Sequence, residues 1–173
     1  MKRFVLLSFI TIFTWQSYAQ DTDIKWLSFE EAIALNKKSP KKILVDVYTN
    51  WCYYCKVMDK KTYSNPEIIA YINTHFYPVK LNAEQKEDIT FNGKKYKYVA
   101  KGRRGYHELA AAILEGKLSY PTTVFFDAKE KVITRLPGYL TVKNYEPILV
   151  FLGEDHYVNK DWDTFVKTYK NVF

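Results

Sequence analysis

Continuous apolar runs and helically spaced apolar positions follow one another along the chain, and together they predict an α/β arrangement. The longest run, residues 41–49, is nearly unbroken, as is typical of a strand covered on both faces of a sheet. Asp46 is conspicuous because it is the only acidic residue in this run. Four further strands are predicted at residues 21–26, 76–82, 121–127 and 131–136.

Helices are predicted between these strands from the 3.6-residue spacing of apolar positions. Ser28 and Glu31 form a capping box at the start of the first helix. Asn65 in front of Pro66 fits an N-cap followed by a proline in the first helical position. The remaining helices are predicted at residues 52–63, 106–115, 142–152 and 162–169. Pro147 lies inside one of them, so we expect a kink or a later start there.

Residues 83–105 form a charged, tyrosine-rich insert between the third predicted strand and the next helix. Asn92-Gly93 has the sequence of a tight turn, so we expect a β-hairpin over residues 89–96. With this insert, the predicted order of elements is β-α-β-α-β-insert-α-β-β-α-α. The chain of 173 residues has no internal repeat or low-complexity linker and fits a single domain.

The first 19 residues predict a cleavable signal peptide. Two basic residues precede an apolar run at residues 4–15, which is shorter than a comfortable membrane span. Small residues at Ser17 and Ala19 then suit cleavage by a signal peptidase. We expect an exported mature chain of residues 20–173 without stable membrane insertion; the alternative is an uncleaved anchor.

The amino-acid composition indicates that the chain has a core and which kinds of partner its charge favours. Apolar residues make up 47% of the chain, which is ample for a buried core. Without the signal peptide, 24 basic and 19 acidic residues remain, an excess that supports solubility or an acidic partner but not nucleic-acid binding. The basic residues of the insert are therefore interpreted as a solvated hairpin or a partner-docking surface, with a nucleic-acid patch as the disfavoured alternative. The cluster that carries this interpretation consists of Lys94, Lys95, Lys97, Lys101, Arg103 and Arg104.

Both cysteines lie in the segment 51–56, Trp-Cys-Tyr-Tyr-Cys-Lys. On the first turn of a helix, Cys52 and Cys55 are close enough to open and close as a disulfide. Cys52 would lie at the helix N-terminus, where free N–H groups and the helix dipole favour a thiolate, and Cys55 would resolve the mixed disulfide. One alternative is a structural disulfide, although so short a loop removes little chain entropy. The other is half of a zinc site, but the further ligands with suitable spacing are missing, so we expect no metal.

Several separate motifs resemble the thioredoxin superfamily. Asp46 lies six residues before Cys52, where thioredoxins have a buried aspartate, and Lys80 matches the lysine that approaches this aspartate. Tyr120 and Pro121 match the cis-proline segment that faces the dithiol in this superfamily. Gly138, after the last predicted hairpin, matches a further glycine of the pattern.

The resemblance implies a thioredoxin-like fold, with a central mixed β-sheet flanked by helices. To this fold the chain would add the hairpin-containing insert at 83–105 and an extra C-terminal helix. The resemblance covers about residues 24–152 and leaves residues 153–173 as a C-terminal extension. The signal peptide and the dipeptide between the cysteines are more similar to exported members than to cytosolic thioredoxin. Among exported members, the chain resembles the periplasmic domains of membrane thiol:disulfide interchange reductases.

The resemblance also implies roles for the residues behind the dithiol. Cys52 would attack a partner disulfide, and Cys55 would then release the partner. Burial would raise the pKa of Asp46 and let it accept the proton of Cys55, whereas Lys80 would stabilise the carboxylate. The alternative for Asp46 and Lys80 is an ordinary ion pair at a strand end.

Aromatic residues and the proline are expected to bind the substrate. Trp51 would shield one side of the sulfurs, or is simply a core aromatic. Pro121, if cis, would let the backbone around Tyr120 pair with an extended peptide; a plain trans proline is the alternative. Tyr53 and Tyr54 carry no charge that would stabilise a thiolate, which favours a reductant over a strong oxidant.

Two classes of function remain open. The first is a periplasmic or secreted thiol-disulfide oxidoreductase that reduces or isomerises disulfides of exported proteins, with no cofactor beyond the Cys52–Cys55 pair. Its partners would be disulfide-containing exported proteins or a membrane thiol electron donor, and we expect a monomer that binds no nucleic acid. The second is a binding or assembly module that holds a client in its tyrosine-rich groove with little turnover. The combination of Asp46, Lys80 and Pro121 with an intact CxxC favours the first class.

Overall fold

The computed structural model describes residues 21–173, so the predicted signal peptide lies outside the described residues. The described part contains eight strands: β1 (Lys42–Tyr48), β2 (Phe76–Asn82), β3 (Ile89–Phe91), β4 (Lys94–Tyr96), β5 (Tyr98–Val99), β6 (Tyr106–His107), β7 (Thr122–Phe126) and β8 (Val132–Pro137). The central sheet has the order β2-β1-β7-β8. Strand β1 is parallel to β2 and antiparallel to β7, which is also antiparallel to β8. The sheet is therefore mixed, as predicted.

Seven helices accompany the strands over the same residues: α1 (Phe29–Lys38), α2 (Tyr53–Lys61), α3 (Pro66–His75), α4 (Glu108–Ile113), α5 (Val142–Gly153), α6 (His156–Asn159) and α7 (Trp162–Thr168). The capping box at Ser28 and the N-cap at Asn65 are both present. This α/β arrangement, with an extra helix at the C-terminus, confirms the predicted fold class. No helix among residues 21–173 is long and apolar enough to cross a membrane.

The side chains of β1 are buried on both faces of the sheet, as its apolar run predicts. Ile43, Val45 and Val47 pack into a cluster with α1, α4 and the hairpin of β3 and β4. Leu44 packs into a second cluster with α2, α3 and α5. Because alternate residues of a strand face opposite sides, Asp46 shares the face of Leu44. The carboxylate is thus directed to the side of the sheet on which α2 lies.

The insert begins with the predicted hairpin. Strands β3 and β4 are paired, and both Asn92 (φ 49°) and Gly93 (φ 73°) adopt the left-handed conformation that a tight hairpin turn requires. Ile89 and Phe91 anchor the hairpin in the core. The remainder of the insert returns through β5, which pairs with β6.

The strand predicted at residues 21–26 is wrong. A single β-bridge joins the next residue, Leu27, to Val79 of β2. The segment is instead held by the side chain of Asn73, which accepts a hydrogen bond from the Lys25 N–H (3.0 Å) and donates one to the Asp23 carbonyl (3.0 Å). A side-chain amide thus satisfies backbone groups that a neighbouring strand would otherwise pair.

Two helix boundaries also differ from the prediction. The helix expected at residues 106–115 starts only at Glu108, because the two preceding residues pair with β5 as strand β6. Helix α5 runs from Val142 to Gly153 with Pro147 inside it, so of the two expected effects of this proline, a kink or a later start, the later start does not occur. A proline cannot donate to the carbonyl four residues earlier, that of Lys143. The Asn171 side chain donates to this carbonyl instead (2.9 Å).

The C-terminal extension is anchored on α5 by one buried carboxylate. Glu146 is only 1% exposed. It accepts hydrogen bonds from the Tyr169 hydroxyl (2.8 Å), the Asn171 amide (2.7 Å) and the backbone N–H groups of Val172 and Phe173. These donors hold residues 169–173 against the helix.

We expect Glu146→Ala to lower the free energy of unfolding by about 2–4 kcal/mol, because several hydrogen bonds to one charged group are lost together. Urea denaturation measures this change, and limited proteolysis should show earlier cleavage near residue 168. Glu67→Ala, on the exposed surface of α3, is the matched control and should change stability by less than about 1 kcal/mol. Equal effects of the two substitutions would contradict the anchoring role of Glu146.

Candidate active site

The two cysteines lie where β1 ends and α2 begins. Cys52 is the N-cap of α2, and its Sγ accepts a hydrogen bond from the N–H of Cys55 (3.1 Å). A disulfide joins the two residues, with a Cα–Cα distance of 5.3 Å. Both are nearly buried, at 4% exposure for Cys52 and 2% for Cys55. The N-terminal sulfur thus lies at the helix terminus that favours a thiolate.

The cis-proline segment lies at the same end of the central sheet as the dithiol. Strand β7 starts beside the end of β1, because Val47 is paired with Thr122. The Tyr120–Pro121 peptide bond, just before β7, is cis. The Gly138 N–H donates to the Pro121 carbonyl (2.8 Å), which ties the end of β8 to this segment. Two loops distant in sequence therefore border the same site.

Asp46 and Lys80 form a buried ion pair near the same end of the sheet. They are register partners in β1 and β2, and Lys80 Nζ is 2.6 Å from Asp46 Oδ2. Asp46 is only 1% exposed, and its Oδ1 accepts no hydrogen bond from any residue of the described part of the chain. One oxygen is therefore neutralised by Lys80, while the other retains its capacity to accept a proton.

Lys80 also contacts a second carboxylate and three aromatic rings. Its Nζ forms an ion pair with Asp59 of α2. It also lies 4.8 to 5.2 Å from the ring centroids of Trp26, Tyr48 and Tyr63. Such cation–π contacts stabilise an ammonium group that is largely removed from water. Lys80 therefore links the strand behind the dithiol to the helix that carries it.

Burial raises the pKa of Asp46, because the charged form loses its hydration. The positive charge of Lys80 opposes this shift, and the negative charge of Asp59 adds to it. For Lys80, burial lowers the pKa, but Asp46 and Asp59 more than compensate, so its pKa is raised. The result is a cation next to a carboxyl group that accepts a proton more readily than an exposed aspartate would.

Aromatic side chains form the rim of the site. Trp51, Tyr53 and Tyr54 are 49%, 72% and 58% exposed. Trp51 packs edge-on against Tyr120, with ring centroids 6.0 Å apart. Tyr54 stacks on Tyr139 (6.4 Å). The rim therefore presents aromatic rings to solvent next to the dithiol in sequence.

Trp51 is also held by the insert. Its Nε1 donates to Glu84 Oε1 (3.0 Å), and the Arg104 guanidinium lies 4.3 Å from its ring centroid. Burial and the nearby charge of Glu84 raise the pKa of Tyr120 to about 12. The start and the end of the insert thus both reach the residue next to Cys52.

Sequence reasoning missed Asp59, Glu84 and Tyr139, and it placed Arg104 in the basic cluster of the insert without its contact to Trp51. Asp59 follows Cys55 by four positions, so helical spacing could have placed both on one face of α2. Glu84, Arg104 and Tyr139 carried no such signal, because their contacts with the rim depend on the path of distant loops. Among residues 21–173, no group of three histidine, cysteine or acidic side chains is arranged to hold a metal ion.

This fold and site are those of a thioredoxin-like protein. The thioredoxin-like domain family matches residues 29–153, most of the chain, and the chain therefore belongs to that family. With the Cys52–Cys55 pair, this match confirms the prediction of a thioredoxin-like thiol-disulfide oxidoreductase. The roles of the individual side chains around the pair stay predictions.

The chain is similar to proteins named thiol:disulfide interchange protein DsbD. The one from Pectobacterium atrosepticum is 27% identical over 111 residues, which cover 63% of this chain and 16% of the relative. The one from Yersinia enterocolitica is 27% identical over 140 residues, which cover 75% and 21%. The chain thus spans about a fifth of the length of these relatives.

Solved structures resemble the chain over most of its length. A thioredoxin-fold protein from Helicobacter pylori has a TM-score of 0.57 at 27% identity and covers 74% of this chain and 79% of its own. A structure described as DsbH oxidoreductase has a TM-score of 0.57 at 20% identity, with coverage of 83% and 95%. The second likeness shows the shared fold alone.

We expect Asp46→Asn to slow resolution of a mixed disulfide at least about tenfold near neutral pH, because general bases typically contribute a hundredfold or more and water replaces part of this. Stopped-flow thiol-disulfide exchange measures the rate. Asp163→Asn, at an exposed position of α7, is the matched control and should leave the rate unchanged.

The same substitution should raise the free energy of unfolding at neutral pH. The expected gain is about 1.4 kcal/mol for each unit by which the pKa of Asp46 in the folded protein exceeds its pKa in the unfolded chain. The folded-state pKa of Asp46 is raised, so its carboxyl costs stability as the pH rises above about 4. The gain of Asp46→Asn should therefore grow towards neutral pH, and Lys80 keeps Asp59 as a partner. An unchanged exchange rate with a lower melting temperature would show that Asp46 is structural.

Proposed function

We propose that the chain reduces, or isomerises, disulfides of exported proteins outside the cytoplasm. The observation that carries the proposal is the CxxC pair at the N-terminus of α2, at the same end of the sheet as the cis-proline loop and with a buried carboxylate on the preceding strand. The geometry suits attack by the first sulfur and resolution by the second. The relatives named thiol:disulfide interchange proteins support the same chemistry.

The reaction starts from the dithiol form. The Cys52 thiolate attacks one sulfur of a client disulfide, and the other client sulfur leaves as a thiolate, which takes up a proton. Cys55 then loses its proton and attacks Cys52 Sγ, so that the second client thiolate leaves and the Cys52–Cys55 disulfide forms. Two electrons pass to the client. A thiol donor must restore the dithiol before the next round of reduction. In isomerisation, a free thiolate of the client attacks its own sulfur in the mixed disulfide in place of Cys55, so that a new client disulfide forms and the Cys52 thiolate leaves unchanged.

Asp46 takes the proton of Cys55 in this scheme, directly or through water. Its raised pKa makes the neutral carboxyl accessible, while Lys80 keeps the carboxylate form available between cycles. The uncharged Tyr53-Tyr54 dipeptide adds no cation that would stabilise the reduced form. We therefore assign the chain to reduction or isomerisation and not to strong oxidation.

The proposed location is the periplasm or the exterior of the cell. It rests on the predicted signal peptide at residues 1–19 and on a described part with just two cysteines, both in the dithiol. The proposed partners are disulfide-containing exported proteins and a membrane thiol electron donor, and the proposed state is a monomer.

A binding or assembly module is the second candidate function. The exposed rim of Trp51, Tyr53 and Tyr54 favours it, because large exposed aromatic side chains are typical of surfaces that hold a partner. In that case clients would bind without disulfide turnover. Measurement of the Cys52–Cys55 equilibrium against glutathione, together with turnover, separates the two functions.

Cys52→Ser should abolish disulfide reduction, whereas Cys55→Ser should accumulate mixed disulfides with clients through Cys52. The reason is position, since the N-terminal sulfur caps the helix and Cys55 lies deeper. Non-reducing electrophoresis and mass spectrometry of exported proteins detect the trapped species. Trapping by Cys52→Ser, but not by Cys55→Ser, would reverse the assignment.

Exported protein should lack residues 1–19, because Ser17 and Ala19 provide the small side chains that a signal peptidase binds. N-terminal sequencing or intact mass measures this directly. Ala19→Arg is the matched variant and should retain the leader. A mature protein that keeps residues 4–15 would be membrane-anchored and would contradict the predicted cleavage.

A further inference from the structure

We propose that the insert, residues 83–105, forms a cationic docking face beside the dithiol that selects clients with acidic residues next to their disulfide. This inference rests on the proposed function and adds the class of client. Nothing in the CxxC chemistry itself requires such a face, because the thiolate and its resolving partner are complete without it.

The charge of the chain is concentrated in the insert. Its 23 residues contain seven basic and three acidic side chains, whereas the rest of residues 21–173 contains seventeen basic and sixteen acidic side chains. Nearly all the excess positive charge of the described part therefore belongs to one loop. A concentrated charge raises the rate at which oppositely charged partners meet a site.

Most of these cations are not paired with a carboxylate of the described residues. Among the described residues, only Lys95 of the seven has a carboxylate within ion-pairing distance, that of Asp88 at 3.4 Å. Lys101, Arg103 and Arg104 are exposed at the end of the insert. Their charge is thus not neutralised within the described part of the chain and is available to a client.

Hydrogen bonds and apolar contacts fix the base of the insert, so its positive charge has a defined position relative to the rest of the fold. The His107 N–H donates to the Ala83 carbonyl (2.6 Å), which closes the base of the loop. The buried His107 ring also contacts the Glu87 carbonyl through Nε2 (3.1 Å) and accepts from the Leu109 N–H through Nδ1 (3.2 Å). Ile89 adds an apolar anchor in the core.

The contacts at Trp51 bring this charge to the site. Glu84, just after the base, binds the indole N–H, and Arg104, just before it, stacks on the ring. Trp51 is the residue next to Cys52 and packs against Tyr120 of the cis-proline segment. A peptide seated between the cis-proline loop and the dithiol would therefore have Arg104 at its side.

An acidic polypeptide fits this surface better than an anionic membrane. The cations adjoin a site whose chemistry needs a client cysteine within bonding distance of Cys52, so the group they recognise must be connected to that cysteine. Charge complementarity at the edge of a contact chiefly speeds association and selects partners. The expected effect is accordingly on encounter rate and salt dependence.

The test uses the reduced mature chain and three peptides with the same internal disulfide, flanked by glutamates, glutamines or lysines. Stopped-flow tryptophan fluorescence gives the second-order rate constants at low and high salt. We expect the glutamate peptide to react about tenfold faster than the glutamine peptide at low salt, with the ratio falling as salt screens the charges. The lysine peptide should be the slowest. Equal rates for the three peptides would overturn the proposal.

The double variant Arg103→Gln, Arg104→Gln should bring the glutamate-to-glutamine ratio close to one. Lys160→Gln, Lys170→Gln is the matched control, because it removes the same charge from exposed positions of the C-terminal extension. The control should keep the ratio of the parent chain. A ratio that falls equally in both variants would reveal a general effect of net charge and refute a local docking face.

Failure of the proposed function is distinguishable from failure of this inference. If the chain reduces none of the peptides, fluorescence anisotropy with serine-substituted, dye-labelled peptides still measures docking. Tighter binding of the glutamate peptide, dependent on Arg103 and Arg104, would then support the docking face alone, and equal binding would overturn it.

A second experiment, sedimentation with phosphatidylglycerol vesicles, tests whether the face binds lipid. Arginine-dependent vesicle binding without a peptide preference would assign the face to lipid and refute the acidic client.

Discussion

The site depends on one lysine held between two carboxylates. Burying an aspartate in a sheet core is unfavourable unless its charge is matched, and Lys80 supplies the match to Asp46 from the adjacent strand. Lys80 is itself largely removed from water, and Asp59 together with three aromatic rings keeps it charged. The carboxylate under the dithiol is therefore tolerable because strand β2, helix α2 and the segment around Trp26 all converge on one ammonium group.

This arrangement separates the chemistry from the recognition of partners. The dithiol, the carboxylate and the lysine lie on elements of the central sheet and on α2, where packing on both faces fixes them. The aromatic rim and the insert lie outside the sheet, with Tyr53 and Tyr54 on the first turn of α2 and Trp51 in the loop before it. Trp51 joins the two parts, since it precedes Cys52 in sequence and contacts Glu84 and Arg104 of the insert.

The sequence was informative wherever the physical cause was local. The buried run around Val45, the N-cap at Asn65 and the turn at Asn92-Gly93 each follow from the residues themselves, and each is present. The strand expected at residues 21–26 failed, because a single distant side chain, Asn73, satisfies that backbone. Hydrogen bonding of a backbone segment to one side chain leaves no periodic pattern of apolar residues in the sequence.

In the candidate site too, some residues could be identified from the sequence, whereas other contacts became visible only in the folded chain. Spacing relative to Cys52 and family resemblance singled out Asp46, Lys80 and Pro121, and all three lie near the same end of the central sheet. The contact of Arg104 with Trp51 spans more than fifty positions, so only the folded path of the insert reveals it.

The hydrogen bond between Asn171 and the Lys143 carbonyl has a consequence for the order in which the molecule is built. Helix α5 contains a proline, and the gap that Pro147 leaves in its hydrogen bonding is filled from a segment more than twenty residues later. A chain emerging from the ribosome or a translocation channel can therefore complete the sheet and the dithiol before it can complete α5. Residues 169–173 join α5 only afterwards, and until they arrive the Lys143 carbonyl in the first turn of the helix lacks the donor that Asn171 supplies.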